Sequence, residues 1–220
     1  MVRVLTIERE YGSGGGEIAA MAAKRLGWTL YDQLLTNEIA RVMECDCRVV
    51  QEREEKRDPM FYRLLTPFMR GSHEGSQNAP RLKMVDADCI REATEGVVKQ
   101  AAERGQCVIV GRGSAYYLQN RRDAFHVFVF APFNEKVKRL RADGKPEKEA
   151  IHLAETVDRD RAAFIKQYFA VEWPDRHRFH LLVNSTLGEE SVVETILESI
   201  ALFDKREAGR AVPVQQRKTS

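Results

Sequence analysis

The stretch from Val2 to Gly27, VRVLTIEREYGSGGGEIAAMAAKRLG, joins a strand pattern directly to a helix pattern through a run of glycines. Residues 2–7 alternate and are rich in β-branched side chains, which predicts a strand. From Gly15 to Leu26 the apolar residues recur at helical spacing, and Gly27 is suited to end the helix. A glycine-rich turn between a strand and a helix lets backbone N–H groups approach an anion, and the helix adds its positive N-terminal end. The stretch therefore predicts a phosphate-binding loop.

This loop differs from the common pattern G-x-x-x-x-G-K-[ST]. With Gly14 as the second glycine, Arg9 stands at the leading glycine. Gly15 and Gly16 then stand at the lysine and the hydroxyl residue. The backbone cradle is retained, but the lysine charge and the hydroxyl ligand for Mg²⁺ are not. Another cation would have to supply the charge, and Arg9 is the nearest candidate; a surface arginine paired with a neighbouring glutamate is the alternative.

The rest of the chain repeats this alternation of strands and helices. Further strands are predicted at 28–32, 107–111, 124–131 and 179–185, and further helices at 34–43, 86–103, 134–142, 147–168 and 191–205. The runs that begin at Cys107 and Ala124 are apolar on both faces, as central strands covered by helices on both sides require. Alternating strands and helices form a parallel sheet with right-handed crossovers, so we expect an α/β fold.

Composition and length set broad limits. The 220 residues suffice for one well-filled domain, and a net charge of +2 argues neither for nor against a nucleic-acid partner. No apolar run approaches the roughly 20 residues of a membrane span, and no signal-peptide pattern precedes the first strand, so we expect a cytoplasmic protein. Four cysteines, which lack CxxC spacing, predict free thiols rather than a metal site (Cys45, Cys47, Cys89 and Cys107).

A second cluster follows a buried strand. The run CVIV leads into Gly111-Arg112-Gly113, so Arg112 should emerge at the same edge of the sheet as the glycine loop. A guanidinium group there suits bidentate phosphate binding. An arginine that caps a helix carbonyl is the alternative.

A third cluster crowds one predicted helix, with Asp158, Arg159, Asp160, Arg161 and Lys166. Phosphoryl transfer needs positive charge on the equatorial oxygens and the exclusion of water. Arginines on a helical segment that closes over the site can supply both. The alternative is a solvated helix with ion pairs between successive turns.

These residues carry a resemblance to the cytidylate-kinase-like family of the nucleoside monophosphate kinase superfamily. TIEREYGSGGGEIA is similar to the family's Ser-Arg-Glu-Tyr-Gly-Ser-Gly-Gly start, and later blocks match in order: LYDQLLTNEIA, CVIVGRGSAYYL, DRDRAAFIKQYFAVEW and HLLVNSTLGEESVVETI. The resemblance spans nearly the whole chain and includes the variant loop without lysine. It implies a three-layer P-loop kinase fold with a five-stranded parallel sheet, a helical NMP-binding insertion and a helical lid.

The resemblance also implies the division of the chain. Residues 1–205 would form a single P-loop kinase-like domain, with the NMP-binding-type insertion at 48–82 and the lid-type helical region at 143–172. A disordered surface loop is the alternative for the insertion. Residues 206–220 are polar and basic, and we expect a flexible tail there.

The resemblance implies Mg-ATP as phosphoryl donor and a nucleoside monophosphate as acceptor. The donor side would use the loop and two residues near the adenine: Gly12, Ser13, Gly14, Gly15, Gly16, Asn184 and Ser185. The acceptor side would use Tyr31, Asp32, Arg112 and Asp158. The catalytic cations would be Arg9, Arg112, Arg159 and Arg161, and the Mg²⁺ ligands stay open.

Two departures from the family bear on activity. True cytidylate kinases carry an acceptor-recognising aspartate at the position of Gly113, and relatives often carry arginine at the position of Gly16. Two hypotheses therefore remain: a kinase of a nucleotide or similar small acceptor, and a non-catalytic nucleotide-binding sensor. Partners would be small nucleotides. No nucleic acid is expected because acidic residues interleave the basic ones, and no membrane is expected because no apolar run is long enough. The oligomeric state stays open.

Overall fold

The structure is a computed structural model that describes residues 1–32, 34–35, 37–39, 41 and 87–210, with side chains from residue 91 to 209 in the last range. It contains one parallel sheet of five strands in the order β2-β3-β1-β4-β5. The strands are β1 (Val4–Arg9), β2 (Thr29–Tyr31), β3 (Cys107–Val110), β4 (Ala124–Phe130) and β5 (Leu181–Asn184). The expected α/β class with a five-stranded parallel sheet is confirmed.

The central position of β1 follows from its composition. All six of its residues are buried, and it pairs with β3 on one side and with β4 on the other. Ile7 aligns with Val110 in β3 and with Val127 in β4, so three branched side chains meet in one row across the sheet. A strand buried on both faces in this way needs apolar side chains in both directions.

Helices cover both faces of this sheet. They are α1 (Gly15–Leu26), α2 (Ala87–Arg104), α3 (Ser114–Tyr117), α4 (Phe133–Ala142), α5 (Glu147–Phe169) and α6 (Glu189–Arg210). One core joins Leu5 and Ile7 of β1 to apolar residues of α1 and α6, among them Ile18, Ala22, Val192 and Ile196. The opposite core joins Val4 of β1 to α2 and α5, through Val98, Ala101, Phe164 and Ile165. The molecule is therefore a three-layer sandwich.

The predicted elements agree closely with the observed ones. Helix α1 matches its prediction from Gly15 to Leu26, and Gly27 ends it with φ +67° while its N–H caps the last turn. Strand β1 lies two residues later than predicted, so that Arg9 is its last residue. This shift places Arg9 at the carboxyl edge of the sheet. Residues 34–35, 37–39 and 41 are helical, as expected.

The C-terminal boundary needs a correction. The closing helix was predicted to end at Lys205, and a flexible tail was expected from residue 206. Helix α6 instead continues to Arg210, because no proline interrupts the sequence before Pro213. The predicted insertion at 48–82 lies outside the described residues, as do Cys45 and Cys47. The division of the chain into domain, insertion and lid stays a prediction.

One further expectation concerned the cysteines, and another concerned membrane-spanning helices. Cys107 is a free, buried thiol, and burial raises its pKa to about 11, so it is not a reactive nucleophile at neutral pH. None of the described helices is both long and apolar enough to cross a lipid bilayer.

A buried histidine lies in the core between β1 and β4. His126 is 2% exposed, and its Nδ1 atom is 2.7 Å from the hydroxyl oxygen of Thr6. Burial, and then the neighbouring His180, lower the pKa of His126 to about 4. Burial also lowers the pKa of His180. The folded protein therefore keeps His126 neutral across a pH range in which an unfolded chain would protonate it.

We expect His126 to make the fold acid-sensitive. As pH falls from about 6.5 to about 4, the unfolded state binds a proton that the folded state refuses, so the free energy of unfolding decreases by up to about 3 kcal/mol. His126→Gln should remove most of that decrease. Urea unfolding between pH 7.5 and 4.5 measures it, with His152→Gln, an exposed histidine of α5, as the matched control. Equal pH slopes for the native protein and His126→Gln would contradict this prediction.

Candidate functional site

The glycine loop lies at the carboxyl edge of the sheet, between β1 and α1. Gly12 and Gly14 adopt φ of +78° and +75°, a region that side chains rarely enter. A β-carbon built on Gly12 would lie 3.0 Å from the β-carbon and the carbonyl oxygen of Lys136 on α4. The Ser13 hydroxyl donates a hydrogen bond to the Glu10 carbonyl oxygen at 2.8 Å. The loop is therefore held in shape by its own contacts.

Of the arginines that the structure describes, three are buried, and all belong to this edge of the sheet. Arg9 ends β1, Arg112 follows β3 and Arg161 lies on α5, with exposed fractions of 7%, 3% and 4%. Burial first, and then the charge of Arg9, lower the pKa of Arg112 to about 9 and that of Arg161 to about 10. Three guanidinium groups that repel one another in a buried space would each be stabilised by a nearby anion.

The backbone at Arg112 is strained. Gly111, Arg112 and Gly113 adopt φ of +65°, +63° and +68° in succession. For a residue with a side chain this conformation costs about 1–2 kcal/mol. Strain of this kind persists where surrounding structure enforces it, and it concentrates at functional sites. The turn brings the Arg112 side chain back toward Arg9 and Arg161 rather than out into solvent.

A carboxylate lies among these arginines. Glu8 of β1 is 2% exposed, and the backbone of Ser114 and Ala115 at the start of α3 acts to lower the pKa of its carboxyl group. Burial raises the pKa of Glu8, although the charges of Arg9 and Arg161 act in the opposite direction. Its Oε1 atom has no hydrogen-bond partner among the described residues. A carboxyl group whose pKa is set by burial and by two neighbouring guanidinium groups thus belongs to the same cluster.

A lysine that the sequence reasoning missed fixes the loop from the other side. Lys136 of α4 is buried, and its Nζ atom is 2.9 Å from Asp158 Oδ2 and 3.2 Å from Glu10 Oε2. Burial alone would lower the pKa of Lys136, but Asp158 and Glu10 together raise it. No motif marked this residue, because a lysine in an amphipathic helix ordinarily points to solvent.

Helix α5 is tied to the glycine loop by Asp158 and Arg161. The Tyr11 N–H group donates to Asp158 Oδ1 at 2.8 Å, so a loop amide is bound to the helix directly. Arg161 Nη1 donates to the Arg9 carbonyl oxygen at 2.8 Å and to Asp158 Oδ1 at 3.2 Å. The expected contact of Asp158 with an acceptor stays a prediction; in this structure its carboxylate serves the loop.

A second missed residue links the loop to the segment after β5. Arg139 of α4 donates to the Ser13 carbonyl oxygen at 3.0 Å, to Ser185 Oγ at 2.8 Å and to the Ser185 carbonyl oxygen at 3.1 Å. The Asn184 side chain accepts from the Thr186 N–H group at 3.0 Å. An open pocket lies beside Arg139, between α1 and the start of α6, lined by Met21 and residues 188–191.

The remaining predicted site residues are Tyr31 and Asp32, at the end of β2, and Arg159, on α5. The negative charge of Asp32 acts on Arg112 and favours its protonated form, so Asp32 lies near the arginine cluster, and its expected role at the acceptor stays a prediction. Tyr31 is buried, and its hydroxyl accepts from Arg104, the last residue of α2, at 3.3 Å, so its expected contact with an acceptor stays a prediction. Arg159, expected beside Arg161, is instead exposed on α5. Residues two positions apart on an α-helix point in nearly opposite directions, so the side chains of Arg159 and Arg161 are separated.

The sequence from residue 4 to 187 matches the model of the cytidylate kinase-like family. The chain belongs to this family. No sequence among the curated proteins matches it significantly. The resemblance inferred from the sequence is thus confirmed, and the glycine loop, Arg112 and Arg161 all lie within the matched region.

Solved structures with the same fold agree with this assignment. An uncharacterized protein from Eubacterium ventriosum ATCC 27560 superposes with a TM-score of 0.63 at 20% identity, over 91% of this chain and 99% of that one. A gluconokinase from Sinorhizobium meliloti 1021 gives 0.55 at 12% identity, over 96% and 98%. A shikimate kinase from Acinetobacter baumannii in complex with shikimate gives 0.50 at 14% identity, over 91% and 94%. This member of the cytidylate kinase-like family therefore has the P-loop kinase fold.

Lys136 should be required for the shape of the loop. Lys136→Met leaves the carboxylates of Glu10 and Asp158 without their shared cation, and breaking a buried ion pair costs about 3 kcal/mol. We expect that decrease in urea unfolding, together with faster hydrogen exchange at the Tyr11 amide. Lys138→Met, on the exposed side of the same helix, is the matched control. If the two variants unfold at the same urea concentration, the proposed support of the loop is wrong.

Proposed function

We propose that the chain is an ATP-dependent phosphotransferase whose acceptor is a nucleoside monophosphate or a similar small molecule. The observation that carries this proposal is the burial of Arg9, Arg112 and Arg161 beside a preformed glycine loop. Phosphoryl transfer demands little covalent chemistry from a protein, and it depends on positioning and on positive charge around the transferring group. The cytidylate kinase-like family supports a kinase of nucleotides or small molecules.

On the donor side, the loop residues Gly12 to Gly16 and the N-terminus of α1 would hold the phosphates of ATP. Backbone N–H groups and the helix dipole supply the attraction. The adenine would lie near Asn184 and Ser185, where Arg139 joins that segment to the loop. Among the described residues, no three His, Cys, Asp or Glu side chains come together as a metal site. Mg²⁺, which binds largely through substrate phosphates and water, would enter with ATP and neutralise phosphate charge.

On the acceptor side, Arg112 and Arg161 would bind the acceptor phosphate, with Tyr31 and Asp32 beside it. Arg112 and Arg161 are held by the turn after β3 and by α5, so their charges require little reorganisation when an anion binds. An anion would also reverse the lowering of their pKa values. The solvent-exposed Arg159 could join only if α5 or the ligand moved. Small nucleotide partners and a cytoplasmic location belong to the same proposal.

A catalytically weak nucleotide sensor is the second candidate. It is favoured by Gly15 at the lysine position and by Gly113 at the position of an acceptor-recognising aspartate. Transfer of radiolabelled phosphate from Mg-ATP to at least one member of a nucleoside monophosphate panel supports the kinase. If ATP raises the melting temperature but no acceptor is labelled, the kinase proposal fails and the sensor remains.

Gly14→Asp should abolish ATP binding, since it places a carboxylate at the N-terminus of α1 where the phosphates would lie. Gly14→Asn is the matched control, because asparagine has the same shape without the charge and tolerates positive φ equally well. In a thermal-shift titration, ATP should stabilise the native protein and Gly14→Asn but not Gly14→Asp. Unchanged ATP affinity in Gly14→Asp would refute the assignment of this loop to the donor phosphates.

A further inference from the structure

Residues 9 and 15 of the loop occupy the same space. A β-carbon built on Gly15 would lie 2.6 Å from the β-carbon of Arg9 and 2.8 Å from its γ-carbon. Real side chains do not approach this closely, so a side chain at residue 15 is excluded while Arg9 keeps its position. The stem of Arg9 thus passes directly beneath the first residue of α1.

The far end of Arg9 meets a second glycine. A β-carbon built on Gly111 would overlap the Nη1 atom of Arg9, so the guanidinium group lies against the start of the Gly111–Gly113 turn. Arg112 and Arg161 both have their pKa values lowered by the charge of Arg9, which places that charge beside them. Arg9 therefore runs from the donor loop to the arginines expected on the acceptor side.

The two positions in contact are two of the three that depart from the common loop pattern, the third being Gly16. G-x-x-x-x-G-K places glycine at residue 9 and lysine at residue 15. This chain places arginine at residue 9 and glycine at residue 15. Because the two positions touch, only one of them can carry a long side chain, and the other has to be glycine. The arginine at residue 9 and the glycine at residue 15 are therefore one change, in which the long cationic side chain has moved from one position to the other.

We propose that Arg9 is the phosphate-binding cation of the loop, moved from residue 15 to residue 9 and delivered from beneath the loop. The proposal rests on the proposed function, because it gives Arg9 the transferring phosphate of the donor as its ligand. Arginine differs from the usual lysine in offering a planar, permanently charged fork that binds two phosphate oxygens together. Burial of Arg9, the contact of its stem with Gly15 and the contact of its guanidinium group with Gly111 hold that fork in place.

The test is a cycle of full-length variants titrated calorimetrically with Mg-ATP and with Mg-tripolyphosphate, which lacks a nucleoside. Arg9→Met keeps the stem and removes the charge, and it should weaken both ligands by about tenfold or more. Gly15→Lys should also weaken binding and lower the melting temperature, because its stem overlaps Arg9. Arg9→Gly combined with Gly15→Lys restores the common pattern, and it should bind about tenfold more tightly than Arg9→Gly alone.

Arg3→Met is the control for net charge, since Arg3 is exposed at the opposite end of β1; both affinities should be unchanged. Native affinity in Arg9→Met overturns the proposal. The proposal is also overturned if the double variant Arg9→Gly/Gly15→Lys folds but binds no better than Arg9→Gly. It is overturned as well if the double variant unfolds while Gly15→Lys alone folds. A native protein that binds ATP but phosphorylates no acceptor would refute the kinase proposal and leave this binding test valid.

Discussion

The burial of three guanidinium groups together is the constraint on which the rest of the site depends. Like charges in a space of low dielectric repel strongly, and removing each from water is costly. Arg9, Arg112 and Arg161 are nevertheless almost fully enclosed. Such an arrangement persists only where fixed carboxylates offset part of the charge and the fold supplies the remaining stability. The proposed function assigns the positive charge of this cluster to an anionic ligand.

The neighbouring residues serve that constraint in distinct ways. Glu8 places a carboxyl group in the core on the same strand as Arg9, where burial raises its pKa and the charges of Arg9 and Arg161 act against that rise. Asp158 binds Arg161 and Lys136 and, through the Tyr11 amide, joins the charge cluster to the glycine loop. A displacement of α5 would therefore change the loop and the arginines together. This coupling is a physical route by which ligand binding on one side could be felt on the other.

Much of the fold could be predicted from the sequence because its signals are local. The apolar run of β3 required a central strand, and the helical spacing between Gly15 and Leu26 defined α1 to the residue. The site was predictable where a motif marked it, as at Arg112 between two glycines. Lys136 and Arg139 were missed because an amphipathic helix full of basic residues gives no sign of which ones turn inward. The end of α6 was misplaced because basic composition was taken as a sign of a frayed tail.

The sequence by itself determined the order of strands and helices along the chain, the place of the glycine loop and the membership of the cytidylate kinase-like family. Those properties depend on residues close together in the chain, whose periodicity and turn chemistry are visible in one dimension. Only the tertiary structure decided which charges share the site. Arg9 comes from the first strand, Gly15 from the first helix and Gly111 from the turn after the third strand. Only their packing shows that the two departures at residues 9 and 15 of the loop occupy one space. Contacts across such separations depend on how the sheet is assembled, and no local pattern encodes them.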